Sequence, residues 1–366
     1  MRGFREIARI AAAFVGIIVG AGFASGQEIV QFFSSFGITG LAGVAFSTIL
    51  FTLFAAALSG LGHHFNAASH KDALYAISGY PASVFLDALI TIFMLAVLVI
   101  MFAGGSALVE QLSGVPAIWG ALLITAISVL IVWLGLQKLI TIICCVTPLM
   151  VLLVVIVAST AFPGMTDSAG AMERAALKLP AASNHWFLAS VLYVSFNIVA
   201  GAPFLIIMGS RATSRRVALR GGMLGGILLG LLMLLLAASF YVRASEIAEV
   251  PLPSLYLAMR ASPVFGFLMA FVIFASILNT AVGVLCSFAA RLSETSPSRF
   301  RPASAVGAAL AFGGSLLGFT QLINKIYPFF GYLGLVLMVW ILFAWFRFRP
   351  WRATGTQECE APNAAL

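Results

Sequence analysis

Apolar runs about 20 residues long recur from the first ten residues to Phe348, separated by short stretches that hold most of the charge. Nothing else in the chain restricts its fold so strongly. A bilayer core about 30 Å thick is spanned by about 20 apolar residues in a helix, and backbone inside hydrocarbon must satisfy its own hydrogen bonds. Only helices and closed barrels do so. A barrel would show segments of about ten residues alternating apolar with polar, whereas these Leu, Ile, Val, Ala and Phe runs do not alternate. With 62% hydrophobic and 9% charged residues, an ordinary soluble domain is excluded. The expected fold class is an all-α polytopic membrane protein.

Runs bounded by polar or turn residues place ten spans, near 6–36, 39–61, 83–109, 115–135, 138–161, 186–209, 216–242, 264–290, 303–318 and 322–346. With the N-terminus in the cytoplasm, 15 of the 20 Lys and Arg residues fall inside, and only Arg174, Lys178, Arg243, Arg260 and Lys325 fall outside. That is a positive-inside pattern, and adding or removing one span in the middle destroys it. The net charge of +8 therefore reports orientation and contact with membrane lipid. No basic stripe with interleaved aromatics supports a nucleic-acid partner. Both termini are expected in the cytoplasm. Arg2 and Arg5 ahead of an apolar stretch, with Gly22-Phe23-Ala24 after it, also fit a signal peptide. Cleavage there would turn Arg211–Arg220 outward, against the charge pattern. Cys144, Cys145, Cys286 and Cys359 lack metal-ligand spacing.

The first run interrupts itself at VGAGFASGQE, residues 19–28. Gly16 and Gly20, like Gly22 and Gly26, stand four apart and suit close helix packing. Ser25-Gly26-Gln27-Glu28 has the form of a capping box, which starts a new helix in mid-span. Two half-helices, Arg5–Val19 and Gly26–Phe36, joined by an unwound Gly20–Ser25, follow from that reading. Unwound backbone survives in a membrane only against protein or a watery cavity, so a break implies a site. The sixth run carries similar punctuation, with Ser195 and Asn197, then Gly201, then Pro203 suited to a restarted helix; an ordinary proline kink is the alternative.

The two breaks lie 180 residues apart, and Leu74-Tyr75 and Pro81 match Leu255-Tyr256 and Pro263 at offsets of 181 and 182. A five-helix unit repeated once is inverted, because five crossings leave the chain on the other side. Helices 1 and 6 are then the broken pair of a 5+5 inverted repeat. Residues 1–162 form the first repeat, 163–185 an extracellular connection, 186–347 the second repeat and 348–366 a cytoplasmic tail.

With these residues in place, the chain resembles the amino acid/polyamine/cation transporter superfamily with the LeuT-type five-plus-five fold, and VGAGFASGQE is similar to the YkvI-like bacterial permeases. The resemblance implies alternating access, with helices 1, 2, 6 and 7 moving against 3, 4, 8 and 9, and a bacterial inner-membrane location. It implies a sodium site using the carbonyls of Gly16, Val19 and Ser276 and the side-chain oxygens of Asn279 and Thr280. It also implies that amides near Ala21 and Gly22 meet a substrate carboxylate. Candidate substrate-binding residues are Gly20, Ala21, Gly22, Ser25, Ser195, Phe196, Asn197 and Gly201, with Phe93, Met94 and Ile277 as further pocket candidates. Proton-coupled relatives place a lysine in the middle of helix 5; here Lys138 sits at its end, which favours sodium. Glu28 is the candidate proton carrier, or a helix cap.

No cofactor is expected besides that ion, and the partner is a small polar solute, an amino acid or related zwitterion. Asp87 is read as reaching the interface, and His63, His64, His70, Lys71 and Asp72 as a solvated loop. The resemblance further implies that the loop from Glu246 to Pro263 folds over the vestibule as a gate. The fold alone also suits a non-transporting ligand sensor. No HExxH, GxSxG or nucleotide loop supports an enzyme or a primary pump, and the sequence carries no signal for an oligomeric state.

Overall fold

The computed structural model describes residues 2–65, 80–135, 146–163, 165, 167–293 and 296–347. Each of the ten expected spans is helical in its described part, and no strand occurs among the described residues. The first span is made of α1 (Arg2–Ile18), α2 (Ala21–Ser25) and α3 (Gln27–Phe32). There follow α4 (Ile38–Phe65), α5 (Tyr80–Ser113), α6 (Ala117–Trp133), α7 (Val146–Ser159) and the short α8 (Ala169–Ala176). The remainder are α9 (Trp186–Ser210), α10 (Arg215–Val242), α11 (Ala244–Ile247), α12 (Pro253–Ala261), α13 (Pro263–Leu292), α14 (Phe300–Ser315) and α15 (Phe319–Arg347). Helices α4, α9, α10, α13, α15 and the Ala88–Ser113 part of α5 are long and apolar enough to cross a membrane. Large apolar side chains such as Phe267, Val264 and Trp119 face outward, as lipid requires and water does not. The protein is an integral, polytopic, all-α membrane protein.

The helices gather into two sets. In one, α4 packs against α9 and α10, and α1 against α10 and α9; in the other, α5 packs against α6, α13 and α14. Glycine makes the first set tight. A methyl group on Gly62 would meet the Ile206 carbonyl, and one on Gly209 the Ser59 carbonyl, so α4 and α9 touch backbone to backbone. Gly222 and Gly226 of α10 lie in the same way on Ala55 and Thr52 of α4. Without a hydrophobic drive between helices in lipid, such contacts supply the association. The two sets meet through α2, which touches α5 and α13, and through α15, which lies against both α9 and α5.

One expectation is corrected here. The sixth run is one continuous helix, α9, with Pro203 inside it rather than at a restart. Proline has no N–H, so the carbonyl of Val199 loses its helical donor; Val199, Ala200 and Pro203 all border a cavity, so the helix tolerates the loss there. The loop from Glu246 to Pro263 holds a helix, α12, started by Pro253. His70, Lys71 and Asp72, the Leu74-Tyr75 half of the repeat match, Lys138, Cys144, Cys145, Cys359 and the tail lie outside the described residues, as does the side chain of Asp87.

Candidate functional site

The first span breaks where its glycines cluster, though more narrowly than expected. Between α1 and α2 the chain leaves the helix at Val19 and Gly20, and it leaves it again at Gly26 before α3; Ala21–Ser25 form a turn of their own, so the expected unwound Gly20–Ser25 is corrected to Val19 and Gly20. The amide of Gly20 donates to Ile18 at 2.7 Å instead of to Gly16. That releases the carbonyl of Gly16 from its usual helical donor. The capping box is also corrected. Ser25 Oγ donates back to the Gly22 carbonyl (2.7 Å) and accepts from the Gln27 amide (3.2 Å), while Gly26, not Ser25, is the N-cap of α3 and makes no side-chain bond. Gly26 has φ +84°, a left-handed conformation that costs a residue with a Cβ about 1–2 kcal/mol. A methyl there would also meet Phe240 and Ser254.

With the cap role gone, the Glu28 carboxylate turns inward. It is 5% exposed, receives the Tyr193 hydroxyl at 3.5 Å, and has the Tyr327 side chain beside it. A Cβ on Gly22 would collide with this carboxylate, so glycine at position 22 makes its room. Aromatic rings enclose the group. Phe32 and Phe33 pack on Tyr193, and Phe196 stacks on Tyr327 with centroids 4.5 Å apart and planes at 16°. The carboxylate therefore has donors on one side and apolar walls on the others, in surroundings where charge is costly and polar contacts are strong.

Glu28 borders a cavity of about 500 Å³. Gly20, Ala21 and Gly22 from the break line it, with Phe196 and Asn197 from α9, Asn279 and Thr280 from α13, and Phe93 and Met94 from α5. It extends to Ser287 and Arg291 near the C-terminal end of α13 and to Phe204 and Ile207 near that of α9. There Arg291 Nη1 reaches Thr91 Oγ1 at 3.2 Å. The structure thus brings together residues from four distant parts of the chain around one volume. Other candidates stand apart from it. Ser25 is held by Gly22; Ser195 donates to the Gly331 carbonyl at 2.6 Å; Gly201 packs beside Phe14 and Ile18; and Ile277 is buried away from the cavity. Gly16, Val19 and Ser276 do not line it either, and the Ser276 hydroxyl lies 3.1 Å from Met150 Sδ. Tyr193, Tyr327, Arg291 and Ser287 were missed from sequence. A lone tyrosine in the apolar run Ile326-Tyr327-Pro328 was the available signal for one of them.

At the end of α13 away from Arg291 lies α12, which touches α2 and α13. Gln111 holds its start from both sides, accepting from the Leu252 amide (3.1 Å) and donating to the Leu252 carbonyl (3.3 Å). Arg243, 5% exposed, donates to the carbonyls of Ala161 and Pro163 (both 2.8 Å) and pairs with Glu246 at 3.1 Å. Glu246 in turn holds Arg260 of α12 at 3.1 Å.

Two solved structures share this arrangement of helices. Mhp1 in an inward-facing conformation is 16% identical, with a TM-score of 0.57 over 95% of this chain and 77% of that one. A mutant of the manganese transporter of Eremococcus coleocola is 15% identical, with a TM-score of 0.59 over 92% and 78%. Both are LeuT-fold transporters. The chain has the LeuT-type fold. In sequence it is similar to the uncharacterised membrane protein YkvI of Bacillus subtilis (strain 168), 27% identical over 336 residues, 90% of this chain and 93% of that protein. It is also similar to YyaD of the same organism, 24% identical over 329 residues, 90% and 94% of the two chains. No family model matches.

Proposed function

We propose that this protein is a secondary transporter that carries a small polar solute, an amino acid or related zwitterion, together with a cation by alternating access. The observation that carries this reading is the cavity itself. It lies inside a LeuT-type bundle at a break in the first span, walled mainly by apolar side chains with a few converging polar groups, Glu28, Asn197, Asn279, Thr280 and Arg291. A transport site needs that combination: enough apolar wall to exclude lipid and ions, and few enough polar contacts to let the solute go. The Gly20–Gly22 amides and Asn197 are the proposed solute contacts.

The proposed coupling ion is sodium, with Gly16, Val19, Ser276, Asn279 and Thr280 as its oxygen donors. The freed Gly16 carbonyl and the cavity-lining oxygens of Asn279 and Thr280 support it, since hard cations take such oxygens. A bacterial inner-membrane location with both termini in the cytoplasm is part of the same reading. It places the C-terminal ends of α9 and α13 inside, so the cavity points to the cytoplasm and α12 lies outside. Proton coupling through Glu28 is the second reading, favoured by the enclosure of that carboxylate by Tyr193 and Tyr327.

Thermal unfolding of the purified protein against a panel of amino acids and amines, in sodium and in choline, tests the proposal. A solute at about 100 times its Kd adds about 2.7 kcal/mol. A shift that needs both sodium and one solute class, and that weakens in Thr280→Ala, is the expected result. A response indifferent to sodium, dependent on pH and abolished by Glu28→Gln transfers coupling to the proton. No response to any solute in either salt, with no uptake into proteoliposomes, defeats the transporter reading.

A further inference from the structure

We propose that the seam between α3 and α15 holds a second ion site, for a hard monovalent cation of the sodium kind, formed by the side-chain oxygens of Gln27, Gln31 and Asn324. The inference rests on the cation-coupled reading above and adds an ion to it at a place separate from the cavity.

Two contacts fix how these helices face each other. Gln31 Nε2 donates to the Thr320 carbonyl at 3.0 Å, and Tyr327 and Glu28 face the same cavity. Moving back along α3 from residue 31 to 28 thus moves forward along α15 from 320 to 327, so the two run antiparallel. Asn324 stands between those two levels, about 6 Å along the axis from Thr320 and about 4.5 Å from Tyr327. Gln27 and Gln31 are one turn apart on the same side of α3.

Gln27 is 2% and Gln31 0% exposed. The Oε1 atoms of both, and Oδ1 of Asn324, are shut off from solvent and have no hydrogen-bond donor among the described residues. For Gln31 the orientation is determined, because its NH₂ must face the Thr320 carbonyl and its oxygen must then face away. Buried amide oxygens in native proteins are almost always satisfied. Three such acceptors on two facing helices describe the lining of a site.

The lining also limits the occupant. It offers acceptors, so what it takes must bring hydrogens or positive charge. A single water donates two hydrogens and cannot satisfy three acceptors, whereas one cation can. Neutral amide oxygens suit a hard ion of low charge, while a divalent ion calls for several carboxylates, and no cluster of three or more His, Cys, Asp or Glu residues occurs among the described residues. None of the three residues lines the cavity, yet Glu28 and Tyr327, their neighbours on the two helices, do. An ion in the seam therefore acts on the same carboxylate and hydroxyl that a solute meets, which couples the two without contact between them.

The experiment is the sodium-dependent thermal shift of the full-length purified protein without solute, in sodium against choline chloride at equal ionic strength. The proteins compared are the wild type, Asn324→Leu, Gln27→Leu, Asn324→Asp and Thr280→Ala. Loss of the sodium shift in Asn324→Leu and Gln27→Leu, with melting in choline not lowered, supports the seam site, because an apolar replacement removes an unpaired acceptor rather than a bond. Asn324→Asp keeps an oxygen and adds charge, and should lower the sodium concentration that gives half the shift. Retention of part of the shift in Thr280→Ala separates the seam from the cavity ion. A wild-type shift in both Leu variants overturns the proposal, and its loss in Thr280→Ala alone leaves the transporter reading standing. No sodium shift in any protein overturns the seam site; sodium-driven uptake by that same wild type would still uphold coupled transport.

Discussion

At the scale of single residues, the site depends on two glycines with opposite surroundings. Gly22 has no room to spare: a methyl group there collides with the Glu28 carboxylate. Gly22→Ala should therefore displace that carboxylate from Tyr193 and Tyr327 and abolish solute-dependent stabilisation, read as a thermal shift, while Glu28→Gln keeps the shape and isolates the charge. Gly283 also borders the cavity, but a Cβ on it meets nothing within 4 Å. Gly283→Leu should fold with an unchanged or slightly raised melting temperature, since glycine is a poor helix former, and should cut uptake by filling the cavity. The sequence showed where the chain breaks, because clustered glycines weaken a helix whatever surrounds them. Ser-x-x-Glu suggested a cap that Ser25 and Glu28 do not form, because it is a local pattern; the other reading of Glu28, a functional carboxylate beside the break, stayed open. The surroundings of Glu28 are set by Tyr193 and Tyr327, 165 and 299 positions away in the chain, which no local pattern encodes.

Among the elements, α12 matters most for access. It is held by polar contacts: Gln111 on Leu252, and Arg243 acting through Glu246 on Arg260. Arg243→Ala strands the Ala161 and Pro163 carbonyls and leaves Glu246 with Arg260 and Tyr256 alone. Charged hydrogen bonds of this kind contribute about 1.5–3 kcal/mol each, so a loss of about 2–4 kcal/mol is expected. The same change should free α12. Ser254, in the first turn of α12, is 1% exposed, so a Ser254→Cys reporter should react with a membrane-impermeant maleimide faster in the Arg243→Ala background. Equal labelling rates would show that α12 is not the cover. The gate expectation came from the family resemblance, while Pro253 serves as the first residue of the helix. The clamp was not legible, since Arg243 counted only as one outside charge. Pro203 misled in the other direction: its missing donor is real, but whether a helix restarts or carries on depends on what borders the freed carbonyl.

For the molecule as a whole, spans and fold class were legible because lipid imposes one rule on every apolar run. Which helices touch was not, because a run apolar on every face gives no rotation; only glycine spacing hinted at it. Gly226 and Gly209 lie on the backbone of α4, near Thr52 and Ser59, so Gly226→Ala or Gly209→Ala should force the helices apart and cost at least about 2 kcal/mol. Gly313, with nothing within 4 Å, is the control, and its change to Ala should leave the melting temperature within about 1 °C or raise it. At Gly62, Gly209, Gly222 and Gly226, where α4 meets α9 and α10, backbone rests on backbone. Such a junction cannot slip by degrees: it behaves as a gear tooth rather than a bearing, and any tilt of α10 or α9 is handed on to α4 undiminished. The places where the molecule can give are then the ones lined by flexible side chains, along α2 and the faces of α5 and α13, and those are the walls of the cavity.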